Sequence, residues 1–211
     1  MPLAQAINWA VHHNVDIISM SWTIERTPDN CKILDQGLAD AIKGAYNAKI
    51  LMFCSTDDQG KLSKEDVYPG QLPGTFKIGA AKASGNEAEY TDKNSDYTFP
   101  GEALRIDIPR HLRLNKDNLA SGSSLATALA SGTAALLLYC FQIVNDKPQT
   151  ALQDARSYHN MDRAFRSMTD QARQPKYIRA WEHLKPEFKD WDLPEEEAIE
   201  KLKTIIEDLF K

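Results

Sequence analysis

Residues 118–144 read NLASGSSLATALASGTAALLLYCFQIV, a small-residue turn (Ser121-Gly122-Ser123-Ser124) followed by a long run of apolar or tiny residues. Serines beside a glycine suit a tight turn and then a helix N-terminus, where hydroxyls cap free backbone N–H groups. From Leu125 to Val144 there is neither charge nor proline. The spacing therefore predicts one long helix, apolar all round, as at the buried centre of a domain. A serine in its first turn faces the positive end of the helix dipole, where an anion can be held. The turn alone leaves open whether that serine is a cap or a binding group. The run is nearly long enough to span a bilayer. Thr127, Ser131, Gly132, Thr133 and Gln142, and the lack of basic flanks, argue against a membrane span.

Upstream of this stretch the chain alternates. Leu3, Ala6, Ile7, Ala10 and Val11 recur at helical spacing, with Asn14 as a stop. Residues 15–22 (VDIISMSW) read as a strand ending near Ser21. Pro28 and Asp29 open a second helix whose inner face is Ile33, Leu34, Leu38, Ala41, Ile42 and Ala45. Lys49 to Cys54 (KILMFC) is the continuous apolar run of a buried parallel strand. Helix, strand, helix, strand predicts an α/β domain, a parallel β-sheet with flanking helices. Ser55-Thr56-Asp57-Asp58-Gln59-Gly60 follows at the carboxyl end of a strand, where ligands and chemistry collect in such sheets. Tyr68-Pro69-Gly70 and Leu72-Pro73-Gly74 are turns in which an X-Pro bond can be cis. Phe76 to Ala81 reads as another strand, Glu89 to Leu104 as polar and turn-rich, and 107–118 as irregular. Beyond Val144 the texture changes to helices from Pro148, over 161–172 and over 176–183. A last helix carries the stripe Ala198, Leu202, Ile205, Ile206, Leu209 and Phe210. The chain thus divides into residues 1–145 and a helical C-terminal extension, 146–211, whose final helix packs on the domain or on a protein partner.

Composition narrows the function classes. At 211 residues, 42% hydrophobic and 26% charged, the chain has the balance of a soluble protein with a sizeable core. A net charge of -5 and the lack of any basic run exclude a nucleic-acid footprint. Cys31, Cys54 and Cys140 are scattered and read as buried free thiols, with no metal-ligand spacing. The first residues have no basic n-region and no cleavage site, so no signal peptide is visible and an intracellular location is favoured.

Together these stretches resemble the subtilisin-like serine proteases (subtilases), specifically the second half of their peptidase domain. Residues 6–10 (AINWA) through 15–21 (VDIISMS) look like the helix and strand lining the family's substrate cleft. Ile50 to Gly60 is similar to the strand and loop bearing its oxyanion-hole asparagine, normally Ala-Gly-Asn-x-Gly. Tyr68-Pro69-Gly70 through Ile78-Gly79-Ala80 resembles the family's Tyr-Pro turn and Val-Gly-Ala strand, and Phe99-Pro100-Gly101 its Ala-Pro-Gly. Ser121 to Thr127 falls on Asn-Gly-Thr-Ser-Met-Ala-Thr, which implies Ser124 as nucleophile. The resemblance covers residues 3–144 and implies peptide-bond hydrolysis through an acyl-enzyme, with a polypeptide as substrate. It further implies that the Ser124 N–H and the loop around Asp58 form an oxyanion hole. Ser19, Met20 and Ser21 would pair with an extended peptide, and Ser55 and Thr56 would border the substrate side-chain pocket. No cofactor is implied; calcium occurs in the family, but no site for it is locatable here.

The departures are chemical. A serine needs a histidine to take its proton and a carboxylate to orient that histidine. The family's Asp-Ser/Thr-Gly and His-Gly-Thr motifs occur nowhere in this chain, and His12 and His13 read as the end of a helix. Asp58 stands where the family has asparagine, and an ionised carboxylate repels an oxyanion. Loss of one oxyanion donor costs on the order of 10² to 10³ in rate, a figure measured on a subtilisin. Trp22-Thr23 for Leu-Gly and Asp57 for glycine would crowd the pocket. The expectation is therefore a truncated, inactive piece of a serine endopeptidase lacking its N-terminal half. The alternative is a pseudoprotease serving as a peptide-binding or interaction module. An α/β-hydrolase esterase is disfavoured, because Ala126 stands where Gly-x-Ser-x-Gly requires glycine.

Overall fold

A computed structural model describes residues 2–60, 67–106, 118–145, 148–172, 174–184 and 194–211. The N-terminal half begins with α1 (Pro2–His12), β1 (Ile17–Met20) and β2 (Ile24–Glu25). A π-helical segment, Ile33–Leu38, runs into α2 (Ala39–Asn47). Then come β3 (Leu51–Ser55), β4 (Val67–Tyr68), β5 (Thr75–Ala81), β6 (Tyr97–Pro100), β7 (Leu104–Arg105) and β8 (Leu119–Ala120). The long apolar stretch is α3 (Ser123–Ile143), followed by α4 (Pro148–Ala155), α5 (Tyr158–Ser167), β9 (Thr169–Asp170) and β10 (Gln174–Ile178). The chain ends in α6 (Ala180–Leu184) and α7 (Glu195–Phe210).

Six strands form the main sheet in the order β1-β3-β5-β6-β10-β9. All neighbours are parallel except β10 with β9, so the expected α/β architecture is observed. The reason lies in β3. Leu51 and Phe53 point to one face, where they join α3, α5 and α7; Met52 and Cys54 point to the other, where they join α1 and α2. Every residue of β3 is buried, and a strand covered on both faces has no position for a charge.

Three differences from the sequence reading have physical causes. The turn-rich expectation for residues 89–104 misses β6, a short strand that is continued by neither alternation nor length. The helix expected over 176–183 is instead β10 and the short α6. Lys176, Tyr177 and Ile178 lie in the strand, which pairs with β6 at Tyr177–Thr98. Ile33, placed on the inner face of the second helix, is 52% exposed, while Leu34, Leu38, Ala41, Ile42 and Ala45 are buried. The π-helical turn widens the helix by one residue there and changes which side chains face inward. The stretch 107–117, His111 and Pro186 lie outside the described residues.

Helix α3 is 21 residues long and packs across β1, β3, β5 and β6. It is buried on one side only. Ala126, Ala130, Ala134, Leu137 and Leu138 face the sheet, whereas Leu129, Leu136, Tyr139 and Ile143 are between 43% and 62% exposed. The expectation of a helix buried all round is thus met on the sheet side alone. Small alanines on that side let the helix lie close to the strands, and Thr127 and Ser131 satisfy their hydroxyls on the carbonyls of Ser123 and Thr127. The helix is long and apolar enough to cross a membrane by composition, but its packed face belongs to the core.

Candidate active site

The Ser121–Ser124 turn lies at the carboxyl ends of β1 and β3, and its three hydroxyls have three different surroundings. Gly122 is the helix N-cap at φ +149°, a backbone conformation that side chains rarely adopt. Its N–H donates to the carbonyl of Gly101 at 2.8 Å, and Ser121 Oγ accepts from Ala103 N at 2.9 Å. The β7–β8 ribbon and the Pro100-Gly101 bend thereby hold the approach to the turn. Tyr90 braces it from outside, donating its hydroxyl to the same Gly101 carbonyl at 2.8 Å. Burial, then the nearby carboxylates of Asp58 and Glu102, push the Tyr90 hydroxyl above its usual pKa, so it stays a donor.

Ser123 is 0% exposed and faces into the protein. Its hydroxyl lies 2.6 Å from Thr56 Oγ1 and donates a short hydrogen bond to Asp58 Oδ1, while its N–H donates to Asp58 Oδ2 at 2.9 Å. The exposed Asp58 side chain thus caps the N-terminus of α3, where the helix dipole favours a carboxylate. Ser124 differs. It is exposed, and neither its Oγ nor its N–H has a hydrogen-bond partner among the described residues. Its carbonyl accepts from Ser21 Oγ at 3.4 Å, which ties the end of β1 to the helix. The arrangement offers one free hydroxyl next to one free N–H donor at a helix N-terminus.

The structure brings together most of the residues singled out from the sequence. Ser19 and Ser21 are exposed at the end of β1, a strand whose outer edge is unpaired among the described residues. Met20 points inward and belongs to the core under α1 and α2. Ser55 and Thr56 are both buried, and Thr56 supports the Ser123 clamp from below. The Asp58 side chain accepts two hydrogen bonds from Ser123, whereas the oxyanion donor expected from this loop would have to give one. Asp57 next to it has its pKa raised, first by burial and then by Asp58 and Asp92.

Among the described residues no histidine hydrogen-bonds to Ser124. His13 bonds its own helix at Trp9 O, 2.8 Å away, and stacks on the Trp9 ring at 3.8 Å. His159 and His183 stand on α5 and α6. No group of three or more His, Cys, Asp or Glu among the described residues is placed to hold a metal ion. Sequence reasoning missed the clamp of Ser123 and the brace of Tyr90. Ser123 and Asp58 are 65 residues apart, and no local pattern signals which serine of a cluster turns inward.

Comparison with known proteins gives a consistent picture. A family model described as "Subtilase family" matches residues 1–161. An intracellular serine protease from Paenibacillus polymyxa is 30% identical over 141 residues, covering 64% of this chain and 40% of the relative. Subtilisin E from Bacillus subtilis (strain 168) is 25% identical over 140 residues, covering 64% and 34%. The chain spans less than half the length of these relatives. Among solved structures, a lanthipeptide protease superposes with a TM-score of 0.64 at 19% identity, covering 84% of this chain and 63% of that one. The prenylagaramide maturation protease PagA gives 0.61 at 21% identity, covering 95% and 66%. At such identities the likeness is one of fold.

Proposed function

Because the chain belongs to the subtilase family, we propose that Ser124 is the acyl-transfer nucleophile of a serine endopeptidase, and that this chain supplies one part of the active site. The observation that carries the reading is the sorting of three serines. Ser121 and Ser123 have their hydroxyls engaged, and Ser124 alone presents a free hydroxyl beside a free N–H. In the reaction a base takes the Ser124 proton, Oγ attacks the peptide carbonyl, and the Ser124 N–H meets the oxygen as it gains charge. An extended substrate would lie along the open edge of β1 at Ser19 and Ser21, with Ser55 and Thr56 beneath its side chain.

The base and its orienting carboxylate come, on this reading, from polypeptide that is not among the described residues. The edge of β1, unpaired among the described residues, and the outward apolar face of α3 are the surfaces on which such a segment would dock. Without it a serine hydroxyl is a poor nucleophile near neutral pH, and the chain alone is expected to be inactive. Labelling with a fluorophosphonate and mapping the adduct by mass spectrometry is the test. The chain alone should remain unlabelled, and the chain within an active full-length protease should be labelled at Ser124. Rapid labelling of the isolated chain would show that a base lies within it, and an adduct on another serine would remove Ser124 from the role.

One observation favours a second reading, a pseudoprotease that binds peptides without cutting them. The Asp58 carboxylate already fills the helix N-terminus beside Ser124, where an oxyanion would be repelled. If the full-length protein leaves Ser124 unlabelled yet binds extended peptides, this second reading stands.

A further inference from the structure

Two loops meet beside Ser124. One, residues 56–60, leaves the end of β3 and carries Asp58; the other, residues 121–124, opens α3. Ser123 and Asp58, 65 residues apart in the chain, join them directly, with the Ser123 N–H donating to Asp58 Oδ2 at 2.9 Å. A second connection runs through Tyr90, which touches both sides with its two ends.

The carbonyl of Tyr90 accepts from the Gly60 N–H at 2.7 Å. Gly60 has φ +58°, and a Cβ there would lie 2.5 Å from the Glu89 carbonyl oxygen, so glycine is what lets the Asp58 loop come this close. At the other end, the Tyr90 hydroxyl donates to the Gly101 carbonyl at 2.8 Å. The same carbonyl accepts the Gly122 N–H at 2.8 Å, and its two lone pairs are thereby both used. Gly101 is itself pinned to the sheet. Its N–H donates to the Ala81 carbonyl at 3.0 Å, and a Cβ on it would come within 2.6 Å of Ala80 Cβ. The hydrogen bonds thus close a circuit from the Asp58 loop through Tyr90, Gly101, Gly122 and Ser123 back to Asp58. A tyrosine suits this place because its hydroxyl sits at the far end of a rigid ring with two side-chain torsions. That ring packs against the main core cluster, so the core sets where the hydroxyl stands.

We propose that Tyr90 is a positioning residue of the Ser124 site. It fixes the spacing between the Asp58 loop and the serine turn, and with it the place where the Ser124 hydroxyl and N–H meet a substrate carbonyl. The proposal rests on the reading of Ser124 as nucleophile. Tyr90 touches no reacting atom and acts through the two loops. Small displacements matter here, because misplacing reacting groups by about 1 Å costs on the order of 100-fold in rate.

The coupling is tested on this chain by amide hydrogen exchange, read in 1H–15N spectra of the parent and of Tyr90→Phe, which keeps the ring and removes the hydroxyl. Gly60, Gly122 and Ser123 should all exchange about tenfold faster, the loss of one hydrogen bond of ordinary net strength. The amides of β3 and β5 should keep their rates, which also reports that the variant is folded. Gly60→Ala, which pushes the Asp58 loop off residues 89–90, should accelerate Gly122 from the opposite end. Unchanged rates, acceleration confined to Gly122 in Tyr90→Phe, or uniform acceleration across the sheet would each overturn the coupling. The consequence for the reaction is read in an active full-length protease. There Tyr90→Phe should lower kcat about tenfold and leave KM unchanged. An unaltered kcat in a protease that labels at Ser124 would overturn the positioning role. A parent that never labels at Ser124 would instead remove the nucleophile reading and the positioning role with it, while the exchange pattern still decides whether Tyr90 couples the two loops.

Discussion

Position in the fold, more than residue type, sets the chemistry of individual side chains here. Three cysteines look alike in sequence, yet burial pushes the Cys54 thiol up to about 12 and raises Cys140, while Cys31 is only partly buried. A thiol must ionise to react. Alkylation of the native protein should therefore modify Cys31 first, with Cys54 and Cys140 reacting only on unfolding; peptide mapping after a timed iodoacetamide pulse would show this. Asp35 is shifted the other way. Hydrogen bonds from Arg26 and from the Tyr68 hydroxyl hold its carboxyl at about 2, below the ordinary 3.8. A depressed carboxylate stabilises the fold above its unfolded value, and that contribution fades as pH falls from about 3.8 toward about 2. An Asp35→Asn variant should accordingly lose its difference from the parent across that window, as read from unfolding curves at stepped pH. The serine turn belongs to the same lesson: the sequence places Ser121, Ser123 and Ser124 in one cluster, and only the surroundings separate a pin, a clamp and a free hydroxyl.

At the scale of elements, α5 has more consequence than its sequence suggests. Phe165 is fully buried and meets the rings of Phe53, Phe76, Tyr97 and Phe99 at 5.4 to 5.9 Å. It thereby closes the sheet face over β3, β5 and β6. Phe165→Ala should cost about 3 to 5 kcal/mol and lower the melting temperature by roughly 10 °C, measured by calorimetry. Strand β3 and helix α7 were legible as elements because their patterns are local. One is a continuous apolar run between turns. The other is a stripe at helical spacing with Glu195, Glu196 and Glu197 at the positive end of its dipole. Strands β6 and β10 were not. Lys176, Tyr177 and Ile178 have no alternation that excludes a helix, and β10 is a strand because β6 offers it a parallel partner some 80 residues earlier in the chain.

For the whole molecule, one core joins the family-like half to the C-terminal region. Met161, Ala164, Phe165, Met168 and Ile178 are buried with Leu51, Phe76 and Ala130, and α7 adds Ile205, Ile206 and Leu209, with Phe210 against Phe141 at 4.9 Å. A chain ending at Asn145 should therefore lose its cooperative thermal transition and bind a dye for exposed apolar surface, whereas the full chain should melt in one step. The sequence by itself determined the α/β class, the family, the long helix and the turn with its serines. Each of these rests on periodicity, turn chemistry or short-range spacing, which act between neighbours in the chain. Only the tertiary structure decided which serine is free, that Asp58 accepts from Ser123 rather than donating, and that one face of α3 stays uncovered. Those outcomes depend on hydrogen bonds and packing between residues far apart in sequence, whose partners are set when the chain folds back on itself.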